Sequence, residues 1–253
     1  MDNPNVLVLM PSYQVAKWIT LGINMLKLQS YQNWRCVIID DHSTDNSYGI
    51  IEQQTYDDDR FEIRRNTKNN GSSLANYIKG FDIANPKDED IVVWVDGDDW
   101  LAHNFVLEDL VKIYQKNDVW MTYGSWKVYP TGEEFPARYT DIPDWVHKQN
   151  AYRQWTYVYS HLRTHKAFLF RNLNRQDLWD DNSQRYYSEG NDTAYLFPLV
   201  EMSGPEHIYR NEEISLILNR ENPLNDAKIN LEKQKQTEWI IRNKQPYSRL
   251  VRR

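Results

Sequence analysis

In the first half of the chain, short apolar runs alternate with longer segments whose apolar residues recur every three or four positions. The runs are NVLVLM (5–10), WRCVIID (34–40), RFEIRRN (60–66) and DIVVWVD (90–96). Three of these are nearly continuous, the pattern of strands buried on both faces of a sheet. Segment 16–29 places Ala16, Ile19, Ile23 and Leu26 at helical spacing. Segment 45–54 opens on Asp45, Asn46 and Ser47, good N-cap residues, and 73–84 and 105–116 also read as helices. This alternation predicts an α/β fold with a mostly parallel central sheet, right-handed crossovers and flanking helices.

After about residue 118 the rhythm breaks. WMTYGSWKVYP (120–130) reads as a strand and HLRTHKAFLFRNL (161–173) as a strand passing into a helix. NDTAYLFPLVEMSG (191–204) reads as a helix interrupted by Pro198, and EHIYRNEEISLILNR (206–220) as two short strands. These pieces are too broken to fold alone, so one domain is expected: a first half over 1–118, a more irregular half over 119–227, and a tail over 228–253. The tail carries eight Lys or Arg against two Glu. An anionic membrane surface is one partner for such a tail; a terminal helix packed on the domain is the other reading.

A net charge of −6 speaks against a nucleic-acid binder. The single cysteine, Cys36, sits in an apolar run and reads as a buried thiol, which fits a reducing, cytoplasmic location. No apolar stretch approaches the length of a membrane span, and the N-terminus reads as a first strand, not as a leader. The chain holds 10 Trp and 17 Tyr, and their half-apolar, half-polar rings suit sugar or base stacking as well as core packing.

In an open parallel sheet, ligands bind beyond the carboxyl ends of the strands. Three strand ends here are polar: PSYQ (11–14), DDHSTD (40–45) and DGDD (96–99). Three carboxylates in four positions repel one another unless a cation joins them. Mg²⁺ or Mn²⁺, which takes one or two carboxylates plus phosphate oxygens, suits the DGDD cluster. Gly97 permits a sharp turn and a close backbone approach. The chain has neither a G-x-x-x-x-G-K-[ST] nor a G-x-G-x-x-G motif, which argues against a P-loop nucleotidase and a dinucleotide dehydrogenase.

The segments VLVLMPSYQVAKWI, LKLQSYQNWRCVIIDDHSTDNS, NNGSS and VVWVDGDDWL, in this order and spacing, resemble the family 2 glycosyltransferases of the GT-A fold, members of which occur in bacteria and large DNA viruses. The resemblance covers residues 5 to about 116 best. It implies a metal-dependent, inverting transfer of one sugar from a nucleotide-sugar, most commonly a UDP-sugar, to a glycan, lipid-linked or protein hydroxyl. It implies donor contacts from Pro11, Ser12, Tyr13, Asp41, Asn70, Gly71, Asp96, Gly97, Asp98 and Asp99. Tyr13 would pack on the base, Asp41 would accept a hydrogen bond from it, and Asp98 would be the leading metal ligand, with Asp96 beside it. Asp192, in EGND, falls where the family places its catalytic base; as plain sequence it could also be a helix cap.

Departures from the pattern are Gln14, where Asn is common, and Ala75-Asn76-Tyr77, where Ala-Arg-Asn is common. Lys79 and Arg163 are the candidates to replace the missing arginine. Trp100, His165 and Glu189 are possible acceptor contacts, and His161 and His165 lie four residues apart near the same region. The Q-x-x-R-W signature of processive synthases is absent. Two rival readings are a sugar-nucleotide nucleotidyltransferase and a non-catalytic nucleotide- or carbohydrate-binding module. The first usually carries a glycine-rich basic loop after strand one, which PSYQVAKW lacks.

Overall fold

The computed structural model describes residues 4–116, 118–137, 141–224 and 230–251. The first half follows the expected alternation: β1 (Val6–Ser12), α1 (Ile19–Lys27), β2 (Trp34–Asp40), α2 (Ser47–Thr55), β3 (Phe61–Arg65), α3 (Ser73–Ala84), β4 (Ile91–Trp94), then a two-residue β5 (Trp100–Leu101) and α4 (Val106–Lys116). The second half supplies β6 (Met121–Tyr129), β7 (Glu134–Phe135), α5 (Asp144–Gln149), β8 (Thr164–Lys166), α6 (Ala167–Arg171), the hairpin strands β9 (Trp179–Asp180) and β10 (Arg185–Tyr186), α7 (Asn191–Ser203), β11 (Ile208–Asn219) and α8 (Leu231–Arg242).

One curled sheet takes strands from both halves, in the order β3-β2-β1-β4-β8-β6-β11-β5, with β7 on β6. The pairs among β3, β2, β1 and β4 are parallel. Beyond β4 the sheet is mixed: β8 runs antiparallel to both β4 and β6, and β11 is parallel to β6. The carboxyl ends of β6 and β11 therefore share the rim of β1, β2 and β4. The amino end of β8 reaches that rim too.

Residue parity explains the continuous apolar runs. Val6, Val8 and Met10 pack with Ile19, Ile23, Val106 and Leu110 on one face of the sheet. Leu7 and Leu9 pack with Tyr77, Phe81, Phe170 and Leu199 on the other. Cys36 is fully buried and burial raises its pKa, so the thiol is inert.

Within 206–220 there is one strand, Ile208–Asn219, not two. Register shifts between Asn211 and Ile214 and between Ile214 and Leu216 break the alternation without ending the strand. The helix through Pro198 is continuous over Asn191–Ser203.

The expected start of the tail, residue 228, lies outside the described residues. Where the tail is described, it is docked. Arg153 and Glu201 are both buried and form a two-pronged pair, Nε to Oε1 at 2.6 Å and Nη2 to Oε2 at 2.9 Å. Arg153 also donates to the Ile241 carbonyl of α8 at 2.6 Å. Glu201 accepts from the Tyr247 backbone N–H at 3.0 Å. Leu231 and Trp239 remain exposed on α8. Among the described residues, no helix is long and apolar enough to cross a membrane.

Candidate active site

The polar strand ends meet in one cleft of about 530 Å³. The first half lines it with Pro11, Ser12, Tyr13, Asp41, Gly71, Asp96, Gly97, Asp98 and Asp99; the second half with His161, Arg163, Glu189, Asn191 and Asp192.

The DGDD turn sits directly on the end of β1. The Gly97 N–H donates to the Pro11 carbonyl at 2.8 Å, and a Cβ at Gly97 would lie 2.3 Å from Ser12 Oγ. Only glycine allows this contact. Each aspartate has a different anchor. Asp96 accepts from the Trp94 indole at 2.8 Å. Asp98 accepts from the Asn222 amide at 2.7 Å. Asp99, 3% exposed, accepts from the Asn219 backbone N–H at 2.8 Å. Burial, then repulsion from Asp98, pushes Asp96 up to about 7. Burial raises Asp98, and burial with repulsion from Asp98 and Asp96 raises Asp99 well above the carboxylate range.

Asp41 shapes the loop after β3. Its Oδ1 accepts from Asn66 Nδ2 at 2.7 Å and from the Asn70 N–H at 2.9 Å, and its Oδ2 from the Gly71 N–H at 3.2 Å. Gly71 has φ of +64°, the left-handed region that favours glycine. Asn70 therefore contributes its backbone to Asp41, whereas Asn69 and Gly71 line the cleft. Gln14, the first departure, ties two strand ends together: its Oε1 accepts from the Thr44 and Asp45 N–H groups at 3.2 and 2.9 Å. Tyr13, 39% exposed, stands at the mouth.

The second departure is also accounted for. Asn76 is buried and accepts from Asn66 at 2.8 Å. Lys79 donates to Asn66 Oδ1 at 2.6 Å and supports this amide network from outside the cleft. Arg163, which immediately precedes β8, does line the cleft. Its Nη2 donates to Asp192 Oδ2 at 2.7 Å and to His161 Nε2 at 3.1 Å. Burial alone would raise Asp192, but the Arg163 guanidinium, by its charge and its hydrogen bond, holds it below the usual carboxylate range. Asp192 lies in the first turn of α7, where the helix dipole also favours an anion. Burial and the neighbouring guanidinium push His161 down to about 3, so it is neutral.

Two expected acceptor contacts are not in the cleft. His165 is wholly buried beneath it: Nε2 meets the Tyr77 hydroxyl at 2.6 Å, Nδ1 donates to the Lys166 carbonyl at 2.9 Å, and burial lowers it to about 4. Trp100 pairs through β5 with Ile217 and packs edge-on against Tyr129 at 5.3 Å. Glu189 does line the cleft, but Lys233 holds its Oε2 at 2.7 Å and Asn230 its Oε1 at 3.1 Å. Sequence reasoning missed Asn219, Arg220 and Asn222. The signal was there: β11 ends in NREN, a fourth polar strand end on the same rim.

The family model described as "Glycosyl transferase family 2" matches residues 7–178, more than half of the 253. The chain belongs to this family. Its relatives include an uncharacterised glycosyltransferase of Haemophilus influenzae, 32% identical over 50% of this chain and 48% of that protein. Another is the Escherichia coli UDP-Glc:alpha-D-GlcNAc-diphosphoundecaprenol beta-1,3-glucosyltransferase WfgD, 29% identical over 51% of this chain and 48% of that protein. The chain thus spans about half the length of these curated relatives. Its GT-A fold matches S. aureus TarS 1–349 in complex with UDP-GlcNAc, with a TM-score of 0.67 and 16% identity over 94% of this chain and 65% of that one. It also matches the Pyrobaculum calidifontis mannosyltransferase PcManGT with GDP-Man and Mn²⁺, with a TM-score of 0.56 and 18% identity over 86% of this chain and 57% of that one.

The donor set of this family 2 cleft fits a hard divalent cation. Among the described residues, no group of three or more His, Cys, Asp or Glu is arranged to hold a metal alone. Asp96 and Asp98 face the cleft as adjacent, mutually repelling carboxylates. One or two such oxygens, completed by ligand phosphates and water, are what Mg²⁺ or Mn²⁺ requires.

Proposed function

We propose that this cleft binds a nucleotide-sugar, with uridine as the base, and transfers its sugar with inversion to a hydroxyl of a glycan, lipid-linked or protein acceptor. One observation carries this reading: a single cleft joins the DGDD turn of the first half to Asp192 of the second, with Arg163 between them. WfgD, by its description, takes UDP-Glc, TarS was solved with UDP-GlcNAc, and PcManGT with GDP-Man and Mn²⁺. These support a nucleotide-sugar donor and a divalent cation here.

Tyr13 at the mouth would pack on the base. Asp41 Oδ1 already accepts two hydrogen bonds, but Oδ2 accepts one, which leaves it room for one base N–H. Mn²⁺ or Mg²⁺ held by Asp98, with Asp96 beside it, would neutralise charge on the departing diphosphate. Asp192 takes the proton of the acceptor hydroxyl. The acceptor oxygen then bonds to the anomeric carbon, and the bond from that carbon to the diphosphate oxygen breaks on the opposite face. Glu189, braced by Lys233, would position the acceptor.

The test is a screen of UDP-, GDP- and dTDP-sugars for nucleotide release, with Mn²⁺ and with a chelator. A UDP-sugar should be hydrolysed slowly and only with the cation. Silence from every donor would defeat the reading.

A further inference from the structure

Arg163 is 8% exposed, yet both of its side-chain hydrogen bonds leave from one nitrogen, Nη2. Nε is buried with no acceptor. An unmet buried donor is costly, so this guanidinium is incompletely satisfied in the free protein. Its bond to Asp192 is a single prong, and the Asp192 side chain is 33% exposed, so water can replace the arginine there. Among the described residues, Arg220 also lines the cleft, with its guanidinium over the Trp126 ring at 5.6 Å, whereas Lys79 lies outside it and is committed to Asn66. Arg163 also sits within charge range of Asp96 on the donor side as well as Asp192. A guanidinium prefers a two-pronged phosphate to a one-pronged carboxylate.

We propose that Arg163 transfers its Nη2 hydrogen bond from Asp192 to the donor diphosphate, so that filling the donor side releases Asp192 for the acceptor. This rests on the nucleotide-sugar reading above. Free Asp192 is held by arginine and is a poor partner for an acceptor hydroxyl. Donor-loaded Asp192 has lost that partner and faces the acceptor alone. The device would favour donor-before-acceptor binding and limit idle proton transfer in the empty cleft.

A double-mutant cycle on UDP binding, measured by calorimetry at fixed Mn²⁺, tests it without turnover. R163Q should weaken UDP by roughly 10- to 100-fold, the loss of a charged hydrogen bond, and leave uridine binding unchanged. D192N should tighten UDP, because a neutral amide holds the arginine less strongly than the carboxylate does. In the R163Q background, D192N should then have no effect. Unchanged UDP affinity in R163Q would overturn the proposal. So would D192N tightening that persists in R163Q, since the carboxylate would then act on the diphosphate directly. Should R163Q not fold, R163K keeps the charge without the fork; its UDP affinity should fall by less, and wild-type affinity would count against the proposal. If the wild type binds none of UDP, GDP or dTDP, the nucleotide-sugar reading itself fails.

Discussion

Asp192→Asn should cut turnover by roughly 10²- to 10⁴-fold, the range a positioned general base contributes, without weakening UDP binding. The substitution keeps size and shape and removes the proton acceptor. The N-cap of α7 is Gly190 and no side chain caps it, so replacing Asp192 removes no cap and the helix that carries it should persist. Of the two roles that sequence alone allowed, base and cap, the cap is not taken by Asp192. The pH dependence has a definite sign. Arg163 holds Asp192 below the usual carboxylate range in the free protein. Its ion-pair stabilisation is therefore present above the unfolded-state carboxylate pKa and is lost as pH falls through the lower folded value. Asp192's own ionisation in the free protein should accordingly lie below the usual carboxylate range, whereas the acidic limb of the rate also carries Asp96, pushed up to about 7. Steady-state kinetics with the donor found by the screen, and calorimetry with UDP, check both parts. Near-normal turnover in Asp192→Asn would remove the base role.

Glu201→Ala should destabilise the fold by about 3–5 kcal/mol, the cost of stranding one partner of a buried ion pair. Wild-type domains have only about 5–15 kcal/mol in total. Glu201 is wholly buried in the same helix as Asp192 and holds both prongs of Arg153 and the Tyr247 N–H. Arg153 in turn holds α8 through the Ile241 carbonyl. Its loss leaves a buried guanidinium unpaired and loosens the C-terminal segment. For a chain of this size the melting midpoint should drop by roughly 6–20 °C. Urea unfolding measures the free energy, and a change under about 1 kcal/mol would show that the pair does not hold α7 to α8.

What could be read from the sequence follows from how the strands are buried. β1, β2 and β4 are covered on both faces, so they appear as apolar runs, and their polar ends are conspicuous. β11 reads as two short strands because its register shifts break the alternation, so its polar end, with Asn219 and Asn222 that anchor Asp99 and Asp98, was not set beside the other three. β8 has only three residues, too few for a period, so its direction was invisible. That direction decides the cation: an antiparallel strand places the residue before it, Arg163, at the carboxyl rim. Lys79 was an equal candidate because α3 gives no hint that its lysine reaches Asn66 instead. His165 shows the opposite failure. Its polarity suggested a site, but a neutral imidazole with both nitrogens bonded is a core residue.

The central claim is that the DGDD turn, Arg163 and Asp192 form one donor-to-acceptor site. A crystal structure with UDP and Mn²⁺, phased for anomalous manganese scattering, tests it most directly. The account predicts a manganese peak at Asp98 and Asp96, the diphosphate against it and against Arg163, and Asp192 open on the far side. Manganese away from these aspartates, or nucleotide bound outside this cleft, would contradict it.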